Sequence, residues 1–89
     1  MSGVPQHIIR QAKDRNLKVT VRVGKSGVTD SIVNELDSQL SARNLVKAKL
    51  NRGLAEGSEG RAAVWDGLAE ATNSSVVHSR GNVAVFHRK

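Results

Sequence analysis

Residues 18–30 of the chain, KVTVRVGKSGVTD, carry the pattern that decides its fold. Polar and apolar residues alternate over the first six positions, which predicts a half-buried strand with a basic outer face. On that strand Val19, Val21 and Val23 face one way, and the other way face Lys18, Thr20 and Arg22. The GKSG stretch at 24–27 ends the strand, and Thr29 or Asp30 can cap a helix after it. That helix carries its apolar residues in one stripe, formed by Ile32, Val33, Leu36 and Leu40.

The segments on either side of this unit show the same two periodicities. Pro5 suits the first turn of a helix over residues 5–15, whose apolar face consists of Ile8, Ile9 and Ala12. Residues 45–50 alternate again and predict a second strand. In that strand Val46, Ala48 and Leu50 lie on one face, opposite Lys47 and Lys49.

The last third of the chain predicts a helix and a hairpin. Ser58 can cap a helix over residues 59–72, whose inward residues are Val64, Trp65, Leu68 and Ala71. Asn73 suits the left-handed position that ends a helix. Residues 75–80 and 82–88 then form two strands joined at a tight Gly81-Asn82 turn. Residues 51–60, with three glycines, predict a flexible loop before the helix.

The element order α-β-α-β-α-β-β indicates an α/β fold of two layers, with helices on a mixed four-stranded sheet. Right-handed crossovers place the second and third helices on the same sheet face. The order of the strands in the sheet stays open. At 89 residues, we expect a single domain that spans residues 1–89.

Composition narrows the class of function. Fourteen lysines and arginines stand against eight acidic residues, which gives a net charge of +6 and favours a polyanionic partner such as nucleic acid. A membrane surface is the weaker candidate, because aromatic residues make up only 2% of the chain. The chain has no cysteine, so disulfides and thiolate chemistry are excluded and we expect a cytoplasmic protein.

The GKSG loop is the strongest candidate site. Gly24 and Gly27 let a phosphate approach the backbone, helix-start N–H groups point toward it, and Lys25 adds a charge. GxxG loops of KH domains clamp nucleic-acid backbones in this way, but they join two helices, and a Walker loop needs a different spacing. The same four residues, Ser26 included, can also be a simple turn between strand and helix.

Other chemistry finds little support in the sequence. His7, His78 and His87 lack the spacing of metal ligands, so we expect no metal, and no cofactor is implied. Trp65 and Phe86 could stack on bases, but a tryptophan at core spacing on a helix is more often a core residue. No Ser–His–acid or paired-carboxylate motif is present, which argues against an enzyme and a small-molecule substrate.

The chain resembles the CRM domain family (chloroplast RNA splicing and ribosome maturation), in particular its stand-alone YhbY-like members. Three blocks carry the resemblance in the family's order, namely residues 21–30, 45–50 and 81–88. It implies a fold similar to the C-terminal domain of initiation factor three, and RNA binding through the GxxG loop and basic surface. His87 and Asn73 depart from the family, which commonly has tyrosine and glycine there.

These observations together predict a monomeric, non-enzymatic RNA-binding protein that binds ribosomal RNA or a pre-50S particle during large-subunit assembly. The expected RNA-binding residues are Arg10, Lys13, Arg22, Gly24, Lys25, Ser26, Gly27, Lys47, Lys49 and Arg88. Two alternatives remain open. One is an architectural double-stranded nucleic-acid protein resembling the Alba family, and the other is a scaffold whose basic face docks an acidic protein.

Overall fold

The computed structural model describes residues 4–24, 27–51 and 57–88, with residues 57–59 described through their backbone only. Three helices and four strands follow one another in the predicted order. They are α1 (Gln6–Ala12), β1 (Val19–Val23), α2 (Asp30–Ala42), β2 (Leu45–Leu50), α3 (Gly57–Ala71), β3 (Ser75–Arg80) and β4 (Val83–His87). The predicted α/β class with a mixed four-stranded sheet is confirmed. None of the described helices is long and apolar enough to cross a bilayer.

The strands lie in the order β1-β2-β4-β3. β1 and β2 are parallel, because α2 carries the chain back to the starting edge before β2 begins. β4 is antiparallel to both β2 and β3. The carboxyl ends of β1 and β2 therefore lie at the same edge of the sheet as the turn between β3 and β4. We call this the strand-end edge.

The main core lies between the sheet and helices α2 and α3, which pack on the same face as predicted. Leu36 of α2 and Leu68 of α3 are fully buried against it. Trp65 and Phe86 meet edge to face, with ring centroids 5.9 Å apart and planes at 72°. Both aromatic side chains are therefore core residues, as the helical spacing predicted for Trp65, and neither is exposed for stacking on a base.

Helix α1 lies on the opposite face and adds a partial third layer. Its Ile8 and Ala12 are buried in a second cluster with Leu45 and Val85, and Val77 packs against this cluster. These sheet residues come from β2, β4 and β3, so α1 covers the amino-terminal part of β2 and the β3–β4 side. The same face near the carboxyl ends of β1 and β2 carries exposed polar residues instead.

A β-bulge in β1 corrects the predicted strict alternation. Val19 pairs with Lys47, whereas Val21 pairs with the very next residue, Ala48, so the register shifts between them. Paired residues share a face, and the extra residue therefore turns Val19 away from Val21. Thr20 faces α2 instead of the basic side, and its hydroxyl donates to the Gln39 side chain at 2.5 Å.

Two helix boundaries also differ from the prediction. α1 ends at Ala12, three residues early, because the Asp14 carboxylate accepts the Asn16 N–H at 2.9 Å and competes with the helix. α3 begins at Gly57, so Ser58 lies inside the helix and not at the position before it. The rest of the predicted loop, residues 52–56, lies outside the described residues.

The far end of α3 follows helical spacing more strictly than predicted. The buried positions there are Trp65, Leu68, Ala69 and Thr72, whereas Ala71, predicted to face inward, is exposed. These positions repeat at intervals of three and four, which keeps them on one stripe. Asn73 has φ +54°, which confirms the predicted left-handed end of the helix.

Two exposed glycines give a paired test of this architecture. Gly67→Ala, inside α3 with open space around a Cβ, should raise the free energy of unfolding by up to about 1 kcal/mol. Gly81→Ala should lower it by about 1–2 kcal/mol, because Gly81 has φ +58° in the hairpin turn. Urea denaturation measures both changes, and a shift of the same sign in the two variants would contradict these backbone assignments.

Candidate nucleic-acid interface

Three chain segments meet at the strand-end edge through backbone hydrogen bonds. The Asn51 N–H, just after β2, donates to the Val23 carbonyl at the end of β1 at 2.8 Å. The Leu50 N–H donates to the carbonyl of Asn82, in the β3–β4 turn, at 2.7 Å. The start of the GKSG loop, the end of β2 and the hairpin turn are thus fixed next to one another.

The GKSG loop begins and closes as a hydrogen-bonded turn. The Gly27 N–H donates to the Gly24 carbonyl at 3.0 Å, and Gly27 has φ +72°, a value that favours glycine. Gly24 has no such φ, and a Cβ placed on it would have no neighbour within 4 Å. The turn geometry therefore explains Gly27 but not Gly24, which is exposed at the strand-end edge. Lys25 and Ser26 lie outside the described residues.

The start of helix α2 offers less to an anion than the sequence suggested. The Thr29 hydroxyl caps the helix by accepting the Ile32 N–H at 3.3 Å, and the Thr29 carbonyl accepts the Val33 N–H at 2.9 Å. Asp30 adds a carboxylate to the first turn. The cap occupies the Ile32 N–H and the Asp30 carboxylate opposes a negative charge, so an anion at this edge depends more on the loop and on nearby cations.

A row of cations crosses the sheet beside the loop, on the face that carries α1. Arg22 of β1 pairs with Lys49 of β2, Lys49 pairs with Val83 of β4, and Val83 pairs with Arg80 of β3. Paired residues point to the same face. We call Arg22, Lys49 and Arg80 the basic row. All three side chains are exposed.

Arg80 was absent from the footprint expected from the sequence. A bulge in β3 sets its orientation, since Val76 pairs with Phe86 while His78 pairs with the adjacent Val85. Under strict alternation Arg80 would share the face of Val76, which packs on the main core. The bulge turns Arg80 to the opposite face, which Lys49 shares, with Val83 of β4 between the two. The single signal for this residue in the sequence was its charge near the hairpin turn.

The other expected residues on this face differ in their surroundings. Lys47 is half-buried, and its Nζ donates to the Leu17 carbonyl at 3.1 Å, which leaves it less free than Lys49. Arg10 and Lys13 are exposed at the end of α1. α1 lies on the sheet face of the basic row, so both add positive charge to that face, but the end of α1 lies against Asn44 and Leu45, at the start of β2.

Arg88 lies apart from these residues. Its guanidinium donates to the Thr72 carbonyl at the end of α3, through Nε at 3.1 Å and through Nη2 at 2.5 Å. It also forms an ion pair with Asp37 of α2. The side chain is 21% exposed and joins β4 to both helices of the main core. The structure therefore gives Arg88 internal partners and does not bring it to the basic row.

A cleft of about 470 Å³ opens at the strand-end edge. Two members of the basic row, Arg22 and Lys49, line it together with Gly24. Asn51 and Asn82 complete its polar lining. The cleft thus combines cations, an accessible backbone and two side-chain amides. Among the residues that the structure describes, no group of three His, Asp or Glu side chains could hold a metal ion.

Comparison with known proteins identifies the family of this chain. The sequence model of the CRS1 / YhbY (CRM) domain matches residues 6–88. The chain belongs to this family. The resemblance to the CRM family in the sequence is thereby confirmed.

Several relatives of the chain are known. A protein of Pseudomonas aeruginosa named "probable RNA-binding protein" is 35% identical over 74 residues, which cover 83% of this chain and 68% of that one. A Bacillus subtilis protein with the same description is 27% identical. That match covers 100% of this chain and 88% of the Bacillus protein. A third such protein, from Methanocaldococcus jannaschii, is 32% identical. That match covers 99% of this chain and 63% of the Methanocaldococcus protein.

The fold also has a solved counterpart. The solution structure of a Staphylococcus aureus protein superposes with a TM-score of 0.75 at 24% identity. The match covers 93% of this chain and 82% of the other. At this identity the likeness establishes the fold alone.

Two arginines at opposite sides of the molecule should differ in their effect on stability. Arg88→Ala should lower the free energy of unfolding by about 2 kcal/mol, because it removes charge-assisted hydrogen bonds and leaves the Thr72 carbonyl without them. Arg80→Ala, on the exposed basic row, should change it by less than about 0.5 kcal/mol. Thermal and urea unfolding measure both, and an equal loss in the two variants would contradict the internal role of Arg88.

Proposed function

We propose that this protein binds structured RNA through the strand-end edge, as a binding module without catalytic activity. The observation that carries the proposal is the basic row, three exposed cations in register beside an accessible glycine turn. Family membership and the names of the relatives support RNA as the ligand.

The geometry suits a sugar-phosphate backbone. Adjacent strands are about 4.8 Å apart, so the basic row, which spans four strands, extends over roughly 14 Å. Cations spread over this length can contact several phosphates of one strand in succession. Gly24 adds a backbone without a Cβ at one end of the row, where Lys25 follows in the sequence. Arg10 and Lys13 of α1 extend the positive surface on the same face.

The preferred RNA is ribosomal RNA of large-subunit precursors, which the resemblance to stand-alone YhbY-like members implies. We further propose that the chain acts as a monomer, as one module and in the cytoplasm. Co-sedimentation with ribosomal particles tests the RNA assignment. Enrichment with pre-50S particles over mature subunits supports it, whereas an even distribution would leave RNA binding intact but remove the role in assembly.

The basic row should determine both affinity and its salt dependence. Each of Arg22→Ala, Lys49→Ala and Arg80→Ala should weaken binding of a structured RNA several-fold and reduce the salt slope by about one phosphate contact. Fluorescence anisotropy across a salt series measures both quantities. The triple variant should lose about three contacts, because the three exposed side chains act independently on separate phosphates.

Arg43→Ala is the matched control for the basic row. Arg43 is exposed but follows α2, at the opposite edge of the sheet from the GKSG loop. Its loss should leave the salt slope unchanged. Equal effects of Arg43→Ala and Arg22→Ala would show that net charge alone attracts RNA. Equal affinity for duplex DNA would instead favour the Alba-like alternative, and no RNA affinity at moderate salt would favour an acidic protein partner.

The GKSG loop can be tested separately from the charge. Gly24→Ala should leave stability within about 0.5 kcal/mol of the wild type, because the Cβ meets nothing and φ is not positive. It should still weaken RNA binding several-fold, since the methyl group occupies the space of an approaching backbone. Lys25→Ala should weaken binding and reduce the salt slope by about one contact. Undiminished affinity in both variants would remove the loop from the mechanism.

A further inference from the structure

We propose that the cleft at the strand-end edge receives one unpaired RNA base, whose edge is recognised by the side-chain amides of Asn51 and Asn82. The inference rests on the proposed function, because the cleft lies within the proposed RNA-binding edge. It adds recognition of a base to the phosphate contacts of the basic row and the GKSG loop.

The two asparagines lie at fixed positions on the cleft. The backbone N–H of Asn51 is bonded to the Val23 carbonyl at 2.8 Å, and the carbonyl of Asn82 is bonded to the Leu50 N–H at 2.7 Å. Both residues therefore extend their side chains from backbone that is held across strand ends. A polar group held in this way loses little conformational freedom when a ligand binds.

The hairpin turn favours an asparagine after Gly81, but its backbone angles do not require one at position 82. The two-residue hairpin turn needs a positive φ, and Gly81 supplies it with φ +58°, whereas Asn82 has no positive φ. Asn51 likewise follows a strand without any unusual backbone angle. Asn51 is exposed and Asn82 half-buried, so both side chains are accessible from the cleft.

The chemistry of the lining favours a base over another phosphate. An amide carries a donor and an acceptor side by side, which matches the edges of bases, whereas a phosphate can use only its N–H donors. Arg22 and Lys49 line the same cleft and can hold the phosphates on either side of an extruded nucleotide. The volume, about 470 Å³, lies within the usual range of ligand pockets.

Unpaired bases are also what proteins read in RNA. The major groove of an RNA helix is too narrow for side chains, so sequence-specific contacts reach bases in bulges and loops. A cleft with convergent amides beside a row of cations fits a helix with one extruded base. The wild-type protein should therefore prefer a stem with a bulge to a fully paired stem.

Three labelled RNA hairpins test the proposal by fluorescence anisotropy at fixed salt. One has a fully paired stem, one has a single bulged adenosine, and one has an abasic residue at the bulge. The wild type should bind the bulged adenosine roughly tenfold more tightly than the abasic bulge, within the range expected for contacts to one base. The abasic RNA keeps the same sugar-phosphate chain and the same charge, so the two RNAs differ by the base alone.

The variants Asn51→Ala and Asn82→Ala should reduce this preference, and the double variant should abolish it. Affinity for the paired stem and the salt slope should remain those of the wild type, because no cation is changed. Asn44→Ala is the matched control, since Asn44 is also exposed but precedes β2, at the other end of the same strand.

The outcomes separate this inference from the proposed function. Equal binding of the adenosine and abasic bulges would overturn base recognition and leave RNA binding standing. An equal loss for all three hairpins in Asn82→Ala would also overturn it, because the amide would then act on the RNA backbone. If the wild type binds none of the hairpins, the proposed function fails as well.

Discussion

The parallel pairing of β1 with β2 is the constraint on which the rest of this structure depends. It brings the carboxyl ends of both strands to one edge, and the bond from the Asn51 N–H to the Val23 carbonyl extends the pairing beyond β2. The β3–β4 turn joins them through the Leu50 N–H. The start of the GKSG loop, the basic row and the cleft therefore share one edge of the sheet. Reversing β1 would place the GKSG turn at the far end of the sheet from Lys49 and Asn82.

One face of the sheet packs against helices, and part of the other face is open to a ligand. α2 and α3 cover one face with a main core that contains both aromatic side chains. α1 covers only part of the other face, and the uncovered part carries the basic row. Charges on this open face remain hydrated until a ligand binds, so they cost little stability. The helix that covers the rest of that face brings Arg10 and Lys13 with it, which makes α1 both a packing element and a source of charge.

Much of this arrangement was predictable from the sequence, because it depends on local patterns. The element order, the Thr29 cap and the left-handed Asn73 each follow from short-range spacing. Strand order was not predictable, since periodicity tells which face of a strand is buried but not which strand lies beside it. The bulges in β1 and β3 were also not predictable from the pattern; the first reversed the predicted face of Thr20, and the second sets the face of Arg80. A bulge leaves no mark in the composition of a strand. It nevertheless moves every residue beyond it to the opposite face of the sheet.

Charge alone also could not separate the two roles of arginine in this chain. Arg88 and Arg80 both belong to the terminal hairpin and are equal as sequence features. Arg88 donates to the Thr72 carbonyl at the end of α3 and forms an ion pair with Asp37. Arg80 is exposed to solvent as part of the basic row. The planar, always charged guanidinium suits both places, because it can satisfy several acceptors inside a fold or one phosphate outside it. Its function is thus determined by the acceptors around it, and those are set by the register of the sheet.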